Sequence, residues 1–143
     1  NLNTETLSHR DTQPMSEQDY NILSGKIINA AIDVHKELGP GLLESVYEYC
    51  LVEEFTRRGL KCQSQVRLPI LYKGKQLEKE FIIDILVEDL IIIELKSVEI
   101  LLPVHEVQLV THLKLANKKL GLLINFNVPL LHEGIRRKIN GTL

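Results

Sequence analysis

Cysteine is nearly absent, with only Cys50 and Cys62 in a chain of 143 residues. Two thiols are too few for the disulfide framework of a small secreted domain, and they lack the clustered spacing of a zinc site. Both are expected to be ordinary buried thiols. Long apolar runs are missing as well. None exceeds six residues, against the ~20 that a bilayer-spanning helix needs, and no basic segment leading into an apolar one opens the chain. A cytoplasmic protein with no membrane segment is the expectation.

An excess of one charge is also lacking. Seventeen Lys and Arg stand against nineteen Asp and Glu, a formal net charge of -2, so the chain has no global basic field of the kind non-specific nucleic-acid binders carry. Basic residues gather only locally, at Arg57, Arg58 and Lys61, at Lys114, Lys118 and Lys119, and at Arg136, Arg137 and Lys138. Runs this short read as solvated faces. There is no glycine-rich phosphate loop, no GxSxG elbow and no paired nucleophile and base, which leaves little basis for a small-molecule enzyme.

What remains is one domain's worth of ordinary globular composition, 44% hydrophobic and 25% charged, able to bury about two thirds of its unfolded surface. Residues 1–15 are polar and aperiodic and are set aside as a leader or remnant, leaving 16–143 as a single domain. Ser16 followed by Asp19 resembles a capping box, and Leu23, Ile27, Ala31, Val34 and Leu38 recur at helical spacing up to Gly39-Pro40-Gly41. A second periodic set, Leu43, Val46, Cys50, Leu51 and Phe55, runs to Gly59, the expected C-terminal glycine of a second helix. The period then changes. CQSQVRLPILY, KQLEKEFIIDILV and LIIIELKSV, joined by short turns, predict an antiparallel meander of three strands. Pro103 opens a third helix, LGLLINF reads as a buried strand, and VPLLHEGIRRKIN as a turn or short helix followed by a last extended piece. The order α, β, β, β, α, β predicts an α/β (α+β) sandwich with helices covering a sheet.

One feature does not suit a hydrophobic hairpin: FIIDILVEDLIIIELKSVE carries Asp84, Glu94 and Lys96 among its isoleucines. Alternation puts Asp84 on a face with Ile82 and Leu86, and Glu94 with Ile92 and Lys96. Register decides whether the carboxylates meet. If residues 88–90 form the turn, partners sum to 178 and Asp84 faces Glu94, with Cβ atoms about 4.5–5.5 Å apart. A two-residue loop at Glu88 and Asp89 would instead pair position 84 with position 93 and send Glu94 to the other face. Two facing carboxylates repel and are costly to desolvate, so something positive must lie between them. Lys96, ~7 Å further along the strand, reaches the same spot, and a hard divalent cation such as Mg²⁺ suits the oxygen donors. Spacing alone leaves two readings open. One is a metal-dependent hydrolytic site; the other is a partly exposed ion pair of one carboxylate with Lys96.

The blocks G41-L-L-E44-S-V-Y47, FIIDILVED, IIIELKSV, VHEVQLVTHLKL and KLGLLINFNVPLLHEGIRRKIN together resemble the GxxExxY family, a bacterial branch of the PD-(D/E)XK nuclease-like superfamily, over about residues 20–140. The resemblance implies a restriction-endonuclease-like αβββαβ core, a mixed central sheet flanked by helices. It further implies that Asp84 is the metal-binding aspartate, Glu94 the second acidic residue and Lys96 the lysine of the E-x-K signature. Glu44 matches the extra acidic residue of the first core helix, counted among the metal ligands, and Gln108 the glutamine of the second. His112 stands where the family pattern carries a tyrosine. The implied activity is Mg²⁺- or Mn²⁺-dependent hydrolysis of DNA or RNA, with a catalytically silent nucleic-acid- or protein-binding module as the alternative. A core this small has no separate recognition domain, so specificity calls for a homodimer or a protein partner.

Several nearby residues admit readings of their own. His105, Gln108 and His112 share a helical face that the spacing turns toward the site, but histidines seven apart do not suit zinc. The Tyr47 hydroxyl is expected to hold the Glu44 carboxylate, three positions away on one helical face. His35 is expected to interact with the dipole at the end of the first helix.

Overall fold

The computed structural model describes residues 15–143, and all but the last residue of the expected leader at 1–15 lies outside the described residues. Met15, the last residue of that expected leader, packs against the core. Ser16 begins the first helix, α1 (Glu17–Leu38). Its hydroxyl accepts from the Asp19 amide at 3.1 Å while the Asp19 carboxylate accepts from the Ser16 amide at 3.1 Å, the reciprocal cap anticipated from the spacing. Gly39 and Gly41 then take φ of 72° and 95°, a region closed to most side chains. Through that turn the chain reverses into α2 (Glu44–Arg57).

The expected meander follows as β1 (Cys62–Tyr72), β2 (Lys75–Val87) and β3 (Ile91–Lys96), each antiparallel to the last. Helix α3 (Pro103–Ala116), with its proline in the first turn, carries the chain across the sheet to β4 (Leu120–Asn125), which runs parallel to β3. A 3-10 turn (Leu131–Gly134) leads into β5 (Ile135–Ile139), antiparallel to β4. The result is a mixed five-stranded sheet in the order β1-β2-β3-β4-β5, flanked by helices as a restriction-endonuclease-like core requires.

Two cores lie on either side of the sheet. On one, α1 and α2 bring Ile27, Leu51 and Phe55 onto Ile85, Ile93 and Leu122. On the other, Leu109 and Leu113 of α3 lie on Ile83, Leu86, Ile92 and Leu123. Each of these buried side chains contributes roughly 1.5–3 kcal/mol. Strands β3 and β4 are covered on both faces, which explains the apolar runs at 91–93 and 120–124.

Four of the nine residues in the basic runs are paired with carboxylates. Arg57 pairs with Glu53 at 3.0 Å, Arg58 with Glu54 at 2.7 Å and with Asp33, Lys118 with Asp89 at 3.2 Å, and Lys138 with Glu106 at 2.9 Å. Cys50 and Cys62 are free but only half-buried, against the expectation of buried thiols. Cys62 opens an edge strand, where full burial is not available. Among the described residues no helix is long and apolar enough to cross a membrane.

Candidate active site

Ile85 pairs with Ile93, Leu86 with Ile92 and Val87 with Ile91. These numbers sum to 178, so the turn is the three-residue one, and Glu88 and Asp89 accommodate it with φ of 53° and 57°. Extended by one step past the last paired residues, Ile85 and Ile93, the same register would set Asp84 opposite Glu94. The backbone ladder ends there. The Leu95 amide donates to Asp84 Oδ2 at 2.8 Å, so a side chain of β2 satisfies a donor that a strand carbonyl would otherwise take.

Strict alternation fails at the same place. Ile83 packs in the core beneath α3, whereas Ile85, two residues on, packs beneath α1 and α2. The pairing of β1 with β2 keeps one register from Ser64–Ile85 to Val66–Ile83 but skips Gln65 and Asp84, and Gln65 has φ of 52°. The common face expected for Ile82, Asp84 and Leu86 is therefore not formed. Ile82 is exposed, Leu86 is buried, and the twist between them aims Asp84 along β3.

Burial raises the Asp84 pKa, the Leu95 amide lowers it, and the charges of Glu94 and Glu44 raise it further against a smaller opposing pull from Lys96. Asp84, Glu94, Glu44 and Lys96 are thus gathered into one electrostatic neighbourhood. Glu48 is a fourth carboxylate there, one that sequence reasoning did not single out. Burial raises its pKa, the hydrogen bond from Gln65 lowers it, and Asp84 and Glu44 raise it. That bond runs from Gln65 Nε2 to Glu48 Oε1 at 2.8 Å. The available signal was the four-residue step from Glu44 to Glu48, which puts both on one face of α2.

Glu94 is 7% exposed and is held by His112, whose Nδ1 donates to Glu94 Oε1. An ionised carboxylate only accepts, so this nitrogen carries the hydrogen. The His112 ring also leans on Phe81, centroid to centroid 5.1 Å. Gln108 lies one turn before His112 on the same face of α3. It is exposed, and among the described residues no hydrogen bond engages its side chain. His105 departs from the expected polar stripe: its Nδ1 accepts from the Leu102 amide at 3.0 Å and caps the start of α3.

The G-x-x-E-x-x-Y segment positions Glu44 by a route other than the one expected. The Tyr47 hydroxyl donates to the Gly39 carbonyl at 2.6 Å and accepts from the Leu42 amide at 3.1 Å, so it fastens the glycine turn and does not hold the Glu44 carboxylate. Its ring is fully buried and stacks on Phe126 at 4.3 Å. Ser97, the residue after Lys96, donates its hydroxyl to the Leu42 carbonyl. The start of α2, with Glu44 exposed as its first residue, is thereby tied to the end of β3. Asn125 secures that end too, accepting from the Val98 amide at 3.0 Å and donating to the Val98 carbonyl at 2.9 Å. His35 does lie in the last turn of α1, but it is buried, with Nε2 donating to the Val128 carbonyl at 2.8 Å, so a tertiary hydrogen bond takes the place of a dipole contact alone.

Among the described residues, no three His, Cys, Asp or Glu side chains stand close enough to enclose a metal ion by themselves. What the site offers is a set of hard oxygen donors whose charges act on Asp84, with Lys96 as a weaker opposing charge. A profile of the PD-(D/E)XK nuclease superfamily matches residues 21–138. No curated protein and no solved structure matches the chain.

Proposed function

The chain belongs to the PD-(D/E)XK nuclease superfamily, and from that premise we propose that it hydrolyses phosphodiester bonds in DNA or RNA, using Asp84, Glu94 and Lys96 together with Mg²⁺ or Mn²⁺. The observation that carries this reading is the Asp84 carboxylate accepting from the Leu95 amide, the residue between Glu94 and Lys96, just past the last paired residues of the β2–β3 ladder. The Gly41, Glu44 and Tyr47 frame supports placing the chain in the GxxExxY branch.

The donor chemistry fits such an ion. Carboxylate oxygens are what Mg²⁺ and Mn²⁺ prefer, and Mg²⁺ usually takes only one or two protein carboxylates beside water and substrate phosphate oxygens. The neighbouring negative charges of Glu94 and Glu44, which raise the Asp84 pKa beyond what burial does, favour added positive charge at this place. Asp84 and Glu94 would hold the ion, with Glu44 as a further carboxylate. When bound, a divalent ion polarises the phosphodiester and generates hydroxide at neutral pH.

The remaining roles belong to the chain's own groups. The Lys96 ammonium orients the attacking water and offsets negative charge developing on the phosphoryl oxygens. The His112 Nδ1–H keeps Glu94 in one orientation. Tyr47 and Ser97 keep Glu44 at the mouth of the site by fixing the backbone before it. Gln108, on the His112 side of α3 and exposed, is available to the substrate. Recognition beyond this core falls to a second copy or another protein.

The test is incubation with labelled single-stranded, double-stranded and branched DNA and RNA in Mg²⁺, Mn²⁺ or EDTA, alongside Asp84→Ala and Lys96→Ala. Metal-dependent cleavage lost in both variants supports the nuclease. Binding without cleavage, indifferent to both substitutions, would assign the chain to the silent binding module.

A further inference from the structure

Strand β2 pairs with β3 over Ile85–Val87 only, yet its pairing with β1 runs on to Tyr72 and Lys75. Past the Gln65 and Asp84 irregularity the two strands therefore continue as a two-stranded ribbon. Near its root one face is anchored, since Val66, Leu68 and Ile70 pack with Phe81 and Ile83 against the core beneath α3. From residue 71 to residue 80 the ribbon is exposed throughout, apart from half-buried Leu77.

The side chains at the tip are not those of an idle hairpin. Leu71 and Tyr72 are 62% and 61% exposed, and Lys73 lies over one face of the Tyr72 ring, 5.5 Å from its centroid. Between residues 66 and 82 stand Arg67, Lys73, Lys75 and Lys79 against Glu78 and Glu80, four positive charges to two negative, a local surplus of two on a chain whose net charge is -2. Glu80 lies 3.9 Å from Arg67 and offsets it. The unmatched positive charge therefore concentrates toward the tip, beside an aromatic ring.

We propose that this ribbon is a DNA-gripping arm whose tip, Tyr72, Lys73 and Lys75, enters the major groove of a B-form duplex lying across the candidate active site. The inference rests on the nuclease reading and deepens it by naming duplex DNA as the substrate class. A two-stranded ribbon is of a size that the ~12 Å major groove of B-DNA admits, whereas the deep, narrow major groove of A-form RNA does not. Lysines at the tip meet phosphates on the groove walls, and the exposed Leu71 and Tyr72 supply apolar contact to base edges. Strand rise puts the tip roughly 25 Å from Asp84, which corresponds to about seven base pairs of duplex.

The experiment measures binding and cleavage separately. Anisotropy titrations in EDTA would compare the unaltered chain with Lys73→Ala/Lys75→Ala and with Tyr72→Ala. The probes are fluorescein-labelled DNA duplexes of about 30 and about 6 base pairs, the shorter one unable to span the ~25 Å from site to tip, together with a long RNA duplex and a long DNA single strand. For the long DNA duplex the double variant is expected to bind about tenfold more weakly, with the salt slope reduced by about 2, near one unit per lysine removed. For the short duplex the loss is expected to vanish. Equal affinity of variant and unaltered protein for the long duplex, or equal loss on the RNA duplex and the single strand, overturns the arm while leaving the cleavage site intact. Duplex binding that weakens as described in a protein that cuts nothing in Mn²⁺ upholds the arm and defeats the catalytic reading instead.

Discussion

The Nδ1 of His112, on α3, donates to the Oε1 of Glu94, on β3, and this bond joins the helix that covers one face of the sheet to a nearly buried carboxylate of the central strand. The Glu94 side chain is 9% exposed and that of His112 15%. Removing the donor leaves a nearly buried charge without its hydrogen bond. His112→Ala is expected to lower stability by roughly 1–3 kcal/mol, read as a drop in the urea midpoint, while His112→Gln, which keeps an N–H donor within reach, recovers most of it. Equal midpoints for the alanine and glutamine variants would show that ring packing on Phe81, not the hydrogen bond, is what stabilises this contact.

Asp84 makes stability depend on pH in a defined direction. Its pKa is raised, first by burial and then by Glu94 and Glu44, so the folded protein holds the proton more tightly than the unfolded chain. The associated stabilisation is whole below the unfolded pKa and is lost as pH rises through the folded one. Metal-free protein is therefore expected to lose stability above the ordinary carboxylate range, and Asp84→Asn to remove that part of the slope. Adding Mn²⁺ on the alkaline side should restore stability to the unaltered chain and not to the variant. Denaturant midpoints across pH, with and without the ion, provide the check; a slope unaffected by Asp84→Asn would place its origin at another group.

Tyr47→Phe separates the turn-fastening hydroxyl from the buried ring. The variant keeps the stack on Phe126 but loses the bonds to Gly39 and Leu42. Its expected cost is roughly 1–2 kcal/mol, accompanied by faster amide exchange at Leu42 and by weakened cleavage through loosened placement of Glu44. Unaltered exchange at Leu42 would remove the hydroxyl from the account of this motif.

Much of the architecture is legible in short-range chemistry. Ser16 and Asp19 announce a helix start and the apolar period announces both arms of the helical pair, whereas the hairpin register, open between a two- and a three-residue turn in the sequence, is set by the pairing of Val87 with Ile91. What stays hidden depends on the meeting of distant segments. No spacing within α3 reveals that His112 reaches Glu94 while His105 folds back on its own helix. The contact of Gln65 with Glu48 requires a non-glycine residue at positive φ in the middle of β1, a conformation that local propensity argues against. Helical spacing pairs Tyr47 with Glu44, three positions before it, yet its partners Gly39 and Leu42 lie outside the helix, in a turn whose shape only the glycines reveal. Sequence also spoke for alternation along β2, and tertiary packing broke it where Asp84 replaces a ladder partner.

The parallel pairing of β3 with β4 has a consequence for the order of folding. The meander from β1 to β3 closes through segments adjacent in the chain, but β3 meets β4 only after α3 has been laid across the sheet, and such long closures come late because chain entropy opposes them. Asp84 and Glu94 are therefore brought together by early local contacts, before α3 delivers the imidazole that quiets one of them. Pulse-labelled exchange should show the Leu95 amide protected ahead of Leu123, and simultaneous protection would contradict that sequence of events. A nascent chain is then expected to bring two like charges together before their cap arrives, and added divalent cations to speed that step of refolding.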